Sequence, residues 1–242
     1  MSAVIFDLDG VLVESEPYWR QGLADVLNEW TRRSGPMSSA LTSDDLRAYE
    51  GGRVSDTLTR VLVAGGHRGA SDPAVVASLT EQVVRQVSAL FEARPAPIEA
   101  SVAVARALHS RGVRLGVASS SAPEFIAAAL RIVGLSDAVS VTQSALHLER
   151  GKPDPEVYLR CAERLGEPPE RCVAIEDSQV GVSAAAAAGI PCIGLWRGAG
   201  PAPGYFRDCA MVSTALTEAD VDAVLRQHRS HGGRMQAGDT DG

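Results

Sequence analysis

Four short, nearly continuous apolar runs constrain the fold of this 242-residue chain more than any other feature of its sequence. They are AVIF (3–6), VRLGVAS (113–119), CVAIE (172–176) and PCIGLW (191–196). Apolar runs of this length are typical of strands that are covered on both faces, as in a parallel sheet. Helical patterns lie among them, at 99–111, 123–133, 155–165 and 179–188. This alternation predicts a doubly wound, Rossmann-like α/β fold with a parallel sheet.

The alternation is interrupted after the first strand. There the sequence shows one helical pattern after another, separated by Gly, Pro and Ser, and no good strand. We therefore predict an inserted, four-helix-type cap domain at 15–94. The α/β catalytic core would consist of residues 1–14 and 95–220. An insert at this point lies over the carboxyl ends of the strands, where open α/β folds bind their ligands.

Charge and composition exclude several classes of protein. The net charge is -7 and there is no basic stripe, so we expect no nucleic-acid partner. The N-terminus, MSAVIFDLDG, lacks the cationic region of a signal peptide. No long uncharged apolar run is present to span a membrane. The four cysteines have no CxxC spacing and are expected to be reduced thiols. Together these features predict a cytoplasmic enzyme.

The remaining expectations about organisation concern the tail and the oligomeric state. The last segment, HRSHGGRMQAGDTDG, is rich in Gly and polar residues, so we predict that residues 228–242 are disordered. The small insert and the absence of a heptad pattern favour a monomer.

Two pairs of carboxylates follow predicted strands. Asp7 and Asp9 leave the first strand in VIFDLDGVL, and Gly10 lets the chain turn. Glu176 and Asp177 leave another strand in VAIEDS, immediately before a helix. The carboxyl ends of parallel strands lie at one edge of the sheet, so we expect the four carboxylates to converge. Oxygen ligands without His or Cys favour Mg²⁺.

An anion site is predicted at the same edge. The segment VASSS ends with Ser119, Ser120 and Ser121 before a helix, and Ser121 with Glu124 fits a capping box. Hydroxyls and free amides at a helix N-terminus bind anions. Lys152 is the single lysine beside 22 arginines. Its compact ammonium can contact an anion and a carboxylate together, in a space that excludes the planar fork of arginine.

The order and placement of these residues resemble the four motifs of the haloacid dehalogenase superfamily over about residues 1–220. They are Asp7, Asp9, Ser119, Lys152, Glu176 and Asp177. The helical insert is similar to the small α-helical cap of that superfamily. The segment ESEPYW after the first motif resembles the branch of sugar-phosphate phosphatases and β-phosphoglucomutases.

The resemblance implies a Mg²⁺-dependent phosphatase that acts on a small phosphorylated metabolite, such as a sugar or polyol phosphate. Asp7 would be the nucleophile that forms an aspartyl-phosphate. Asp9 would protonate the leaving alkoxide and then activate water. Mg²⁺ would be held by the Asp7 carboxylate, the Asp9 backbone carbonyl and Asp177, with Glu176 beside it or acting through water.

The resemblance also implies that Ser119, the Ser120 amide and Lys152 hold the phosphoryl oxygens. Substrate specificity would come from the insert, where EGGRVSD (50–56) matches a loop that faces the active site in relatives. The candidate specificity residues are Glu14, Trp19, Gly52 and Arg53. Arg53 would bind a substrate hydroxyl or a second anion, or lie exposed at a helix start. Trp19 would line the pocket or pack the insert.

Alternative chemistries leave different signatures. Dehalogenases lack the acid at Asp9, and phosphonatases of this class use a cap lysine, which is absent here. β-Phosphoglucomutases carry a histidine where Trp19 stands, and they also use a cap lysine. These two departures favour hydrolysis over intramolecular transfer, and a sugar phosphomutase is the first alternative. The alternative from another class is a non-catalytic metabolite-binding or regulatory module of the same fold.

Overall fold

The computed structural model describes residues 2–34, 40–49, 52–67 and 72–232. Six strands form one sheet with the order β3-β2-β1-β4-β5-β6, and all pairings are parallel. The strands are β1 (Ala3–Phe6), β2 (Arg114–Ser119), β3 (Val139–Ser144), β4 (Cys172–Glu176), β5 (Cys192–Leu195) and β6 (Met211–Ser213). The predicted doubly wound parallel sheet is confirmed.

Eight α-helices are found among the described residues. They are α1 (Glu16–Ser34), α2 (Val54–Ala64), α3 (Pro73–Ala93), α4 (Glu99–Ser110), α5 (Pro123–Ile132), α6 (Glu156–Leu165), α7 (Gln179–Ala187) and α8 (Glu218–Gly232). Short 3₁₀ helices lie at Asp44–Tyr49, Pro169–Arg171 and Gly204–Asp208. Helix α8 continues to Gly232, into the segment 228–242, whose disorder stays a prediction. Residues 233–242 lie outside the described part of the chain.

Two strands were missed in the sequence, and both lie at the edges of the sheet. β3 has the sequence VSVTQS and is only partly buried, so it lacks a continuous apolar run. β6 has three residues. The predicted strands are the inner four, and buried strands are the ones that a run of apolar residues reveals.

The register of the inner strands positions the polar residues that follow them. Phe6, the last residue of β1, is level with Val117 of β2 and Ile175 of β4. The amide of Asp7 then donates to the carbonyl of Ile175 at 2.9 Å. The ends of β1, β2 and β4 therefore meet at one edge of the sheet, as predicted.

The described part of residues 15–94, hereafter the insert, contains three α-helices, α1 to α3, and the 3₁₀ helix Asp44–Tyr49. One of the predicted four helices is thus a short 3₁₀ helix. The insert and the helices beside the sheet share one hydrophobic cluster. Tyr18 and Trp19 of α1 contact Phe91 and Phe125 edge to face, and these two phenylalanine rings lie 5.6 Å apart. No helix in the described ranges is long and apolar enough to span a membrane.

Candidate active site

The turn after β1 brings the two pairs of carboxylates together. Gly10 has a φ of +78°, a region that residues with a side chain rarely adopt. A Cβ atom at Gly10 would also lie 1.8 Å from Oδ2 of Asp177. Only glycine satisfies both conditions, so the turn that carries Asp7 and Asp9 packs directly against Asp177.

The ammonium of Lys152 is buried between carboxylates. Its Nζ lies 2.8 Å from Oδ1 of Asp7, 2.6 Å from Oε1 of Glu176 and 3.0 Å from the carbonyl oxygen of Ala118. Burial alone lowers the pKa of Lys152, but Asp7 and Glu176 raise it well above its ordinary value. All three N–H donors of Lys152 therefore have protein acceptors, and one of these acceptors is the carboxylate of Asp7. A phosphoryl oxygen would have to share a donor with one of them.

Glu176 is fully buried and is bound from several directions. Besides Lys152, the hydroxyls of Tyr158 and Ser178 donate to its oxygens at 2.7 and 3.1 Å. A Cβ atom at Gly181 would lie 1.9 Å from Oε1 of Glu176, so this glycine leaves room for the carboxylate beside α7. The structure thus fixes Glu176 at the base of the site.

The carboxylate of Asp9 accepts hydrogen bonds from four side chains and contacts neither Asp7 nor Lys152 in this way. Trp19 Nε1 and the Ser15 hydroxyl donate to Oδ1, the indole at 2.9 Å. The hydroxyls of Ser119 and Ser121 donate to Oδ2 at 3.2 and 2.6 Å. Asp9 therefore lies between the first turn of α1 and the end of β2.

The predicted capping box at α5 is wrong. The N-cap of α5 is Ala122, with no side-chain cap hydrogen bond. The Ser121 hydroxyl donates to Asp9 instead. Ser119 is fully buried, and its Oγ accepts a hydrogen bond from the Ser121 amide at 2.9 Å. The hydroxyls of Ser119 and Ser121, which the sequence assigned to an anion site and to a helix cap, are thus hydrogen-bonded to Asp9 in this structure.

A cavity of about 500 Å³ joins the sheet edge to the insert. Its residues from the sheet edge and nearby loops are Asp7, Asp9, Ser120, Ser121, Asp177, Ser178, Gln179, Trp196 and Tyr205. Its residues from the insert are Glu16, Trp19, Arg20, Leu23, Leu46, Arg47, Gly52, Val54 and Thr57. The cavity therefore has an acidic floor and a roof of mixed apolar and charged side chains.

Comparison with known proteins assigns the chain to a family. The family model of haloacid dehalogenase-like hydrolases matches residues 1–189. The chain belongs to this family. The resemblance found in the sequence is confirmed, and the chain is an enzyme of the hydrolase class.

The relatives of this hydrolase include phosphatases and a mutase. Hexitol phosphatase B of Escherichia coli K12 is 33% identical over 193 residues, which cover 77% of this chain and 79% of that protein. The β-phosphoglucomutase of Bacillus subtilis is 29% identical over 203 residues, covering 82% and 84%. The crystal structure of β-phosphoglucomutase from Clostridium difficile superposes with a TM-score of 0.80 at 19% identity, over 95% of this chain and 99% of that one. The last comparison shows that the fold is shared.

The acidic residues of the hydrolase fit a divalent cation. Ligand oxygens of Asp7, Glu176 and Asp177 lie within 4.8 Å of one another. Burial, and then the neighbouring carboxylates, raise the pKa of Asp177 well above its usual range. Burial and the neighbouring acids do the same to Asp7, against the effect of Lys152. One ammonium thus leaves the cluster with excess negative charge, and oxygen donors are what Mg²⁺ prefers. The carboxylate of Asp9 is not part of this group.

The four predicted specificity residues divide into two pairs. Trp19 and Gly52 line the cavity. Glu14 does not line it, because its carboxylate is paired with Arg197 at 2.6 Å. Arg53 also lies outside the lining and binds Asp56 and the Leu148 carbonyl.

Sequence reasoning missed other residues of the hydrolase site. Arg20 and Arg47 line the cavity from the insert, where no motif marked them. Tyr158 binds Glu176 from α6, six residues after Lys152. The signal for Tyr158 was its place on the buried face of an amphipathic helix, but that pattern does not separate a core tyrosine from a site residue.

Proposed function

We propose that this hydrolase is a Mg²⁺-dependent phosphatase of a small phosphorylated sugar or polyol, acting through an aspartyl-phosphate. One observation carries the proposal: the cavity contains one carboxylate paired with a buried ammonium and a second carboxylate held by neutral donors. Phosphoryl transfer by an aspartate requires a nucleophile and a separate proton carrier. Asp7 and Asp9 fit these two roles.

Asp7 fits the nucleophile. Lys152 holds Oδ1 from the buried side, and the residue lines the cavity. Its carboxylate would attack phosphorus in line with the leaving oxygen, forming an acyl phosphate and releasing the alkoxide. Burial raises the pKa of Asp7, and the fixed ammonium of Lys152 opposes that effect by favouring the ionised carboxylate.

Asp9 fits the proton carrier. It would give a proton to the departing alkoxide and then take one from the water that hydrolyses the acyl phosphate, so its protonation state is restored in each cycle. Its contacts with Trp19 and Ser121 hold the carboxylate at the cavity, which supports this role. Ser120 lines the same cavity. Ser119, the Ser120 amide and Lys152 would hold the phosphoryl oxygens, with Lys152 supplying positive charge.

Mg²⁺ would be held by the carboxylates of Asp7 and Asp177 and the backbone carbonyl of Asp9, with Glu176 beside it. When bound, the cation neutralises charge on the transferring phosphoryl group. Glu176 would also position the site, because its oxygens accept hydrogen bonds from Lys152 and Ser178.

The substrate class is supported by the relatives and by the cavity. Hexitol phosphatase B and the fructose-1-phosphate phosphatase YqaB of Escherichia coli K12 are 33% and 28% identical to this chain. The roof of the cavity combines the apolar side chains of Leu23 and Val54 with polar groups, which suits a small polyol. We propose that residues 15–94 act as a cap over a core of 1–14 and 95–220, and that Trp19 and Gly52 contribute to specificity.

A sugar phosphomutase is the second candidate, supported by the 29% identical mutase of Bacillus subtilis. The contact of Trp19 with Asp9 argues for hydrolysis, because a neutral indole N–H donates but does not accept a proton. Incubation with β-glucose 1-phosphate and a bisphosphate primer separates the two: a mutase yields glucose 6-phosphate, and a phosphatase yields free phosphate.

A phosphate-release screen over phosphorylated sugars, polyols and nucleotides tests the proposal. We expect turnover of sugar or polyol phosphates with Mg²⁺, its loss with excess chelator, and its restoration by added Mg²⁺. Asp7→Asn should abolish it. No release from any compound, including p-nitrophenyl phosphate, would favour the non-catalytic binding module instead.

A further inference from the structure

Arg53 connects the insert to the loop that carries Lys152. It stands at the N-cap of α2 in extended backbone, directly before the first helical turn. Its guanidinium binds Asp56 twice, with Nε 2.7 Å from Oδ2 and Nη2 3.1 Å from Oδ1. The remaining side of the fork donates from Nη1 to the carbonyl oxygen of Leu148 at 2.7 Å. This last bond joins residues 95 positions apart in the chain.

The stem of Arg53 packs against the same loop. A Cβ atom at Gly151 would lie 2.9 Å from both Cδ and Nε of Arg53, which is closer than such atoms approach. The Arg53 side chain is 14% exposed, so the contact is largely covered. The next residue of the loop is Lys152, whose ammonium holds Asp7 and Glu176.

The neighbours of Arg53 in sequence face the other way. Gly52 and Val54 line the cavity, whereas Arg53 lies in a groove with Gly151 and Lys152. A substrate that contacts the residues on either side of Arg53 therefore contacts the backbone that holds Arg53 against the Lys152 loop.

We infer that Arg53 is a positioning residue that couples the substrate-facing loop of the insert to the placement of Lys152. This role rests on the proposed phosphatase function. The two hydrogen bonds to Asp56 fix the orientation of the Arg53 guanidinium, so that its remaining N–H group reaches the Leu148 carbonyl. The fit of the Arg53 stem to Gly151 sets the distance between the insert and the Lys152 loop. Arg53 thus acts through Lys152 and does not touch the substrate.

A double substitution tests the contact. Gly151→Ala places a methyl group against the Arg53 stem, so we expect kcat/KM for a sugar phosphate to fall about 10-fold. Arg53→Ala removes a charge-assisted bond and should cost about 10- to 100-fold. In the Arg53→Ala protein, the added Gly151→Ala change should cost less than about 2-fold, because the methyl group then has space. Full, multiplicative losses in the double variant would overturn the inference.

Inorganic phosphate separates positioning from substrate contact. It has no leaving group, so a residue that contacts the sugar leaves its affinity unchanged. We expect the inhibition constant of inorganic phosphate to rise about 10-fold in Arg53→Ala. Arg53→Lys should behave in the same way, because an ammonium cannot reach Asp56 and Leu148 together. An unchanged phosphate constant with a raised KM for the sugar phosphate would assign Arg53 to the substrate instead.

Two controls complete the experiment. Arg33→Ala removes an exposed cation of α1 that is paired with Glu29, and it should leave both constants unchanged. Phosphate binding measured as a thermal shift with Mg²⁺ needs no turnover. If the wild-type protein binds phosphate but hydrolyses nothing, the proposed function fails while the coupling is still measured. If it hydrolyses sugar phosphates and Arg53→Ala keeps normal phosphate affinity, the coupling alone fails.

Discussion

Asp7 and Asp9 are two residues apart in the chain and have opposite surroundings. Asp7 is paired with the buried ammonium of Lys152, and burial, together with the neighbouring carboxylates, raises its pKa. Asp9 accepts only from neutral groups, which are hydroxyls and the Trp19 indole. A full positive charge favours a fixed anion, and neutral donors tolerate a change of protonation. The comparison teaches that their partners, more than their positions, distinguish the proposed nucleophile from the proposed proton carrier.

The largest effect is expected where the proposed nucleophile, Asp7, is removed. Asp7→Asn keeps the shape of the side chain but leaves a poor nucleophile beside Lys152. We expect kcat to fall by about 10⁴-fold or more, measured as phosphate release from the best substrate of the screen. Residual activity within about 10-fold of the wild type would assign the nucleophile to another group.

Replacing Lys152, the residue whose ammonium is paired with Asp7, should have the next largest effect on kcat. Lys152→Arg keeps the charge, but the wider fork does not fit among Asp7, Glu176 and the Ala118 carbonyl. We expect kcat to fall about 10²- to 10³-fold, the scale of one lost preorganised contact. The reverse exchange, Arg160→Lys in an exposed pair with Glu156, is the matched control and should change little. Turnover near that of the wild type would show that charge alone suffices.

A change on the Asp9 side should depend on the leaving group. Trp19→Phe removes the N–H donor and keeps a ring against Phe125. We expect kcat/KM for a sugar phosphate to fall about 10-fold. For p-nitrophenyl phosphate it should fall less than about 3-fold, because that leaving group departs without a proton. Trp30→Phe, a ring in contact with His67, is the control. Equal losses for both substrates would place Trp19 in substrate binding.

The smallest effect is expected at Tyr158. Tyr158→Phe removes the hydroxyl that donates to Glu176 and leaves Lys152 as the remaining charged partner. We expect the free energy of unfolding to fall by about 1.5–3 kcal/mol, since the bond is buried and its acceptor is charged. Activity should fall less than in Lys152→Arg. Tyr18→Phe, which loses an exposed bond to the Arg94 carbonyl, is the comparison for denaturant unfolding.

The sequence predicted the inner sheet and the convergence of carboxylates because both follow from local pattern. β1 and β4 are continuously apolar, and each ends in acids. β3 escaped prediction because an edge strand is covered on fewer sides. Helices α4 to α7 were predicted to within about one residue, since their amphipathic faces and their Gly or Pro boundaries are local signals. Helix α8 was not predicted.

The other contacts of the site were not predicted, because they depend on the direction in which each side chain points. Ser121 was assigned to a helix cap, but its hydroxyl donates to the carboxyl group of Asp9, and this tertiary hydrogen bond replaces the local one. Arg53 was a candidate for the pocket because its loop matches one that faces the active site in relatives, yet its own side chain turns to Leu148. Residue type and spacing do not encode such rotamers, because they are set by partners distant in the chain.

The single lysine also gives the protein a unique chemical handle. An amine-directed reagent meets one side-chain amine in the whole chain, and that amine is 2% exposed. Acylation or reductive methylation of Lys152 therefore measures access to one point beside Asp7, free of the surface background that most proteins give. Arginine side chains do not react with such reagents. Mass spectrometry after modification therefore counts the molecules in which Lys152 has become accessible.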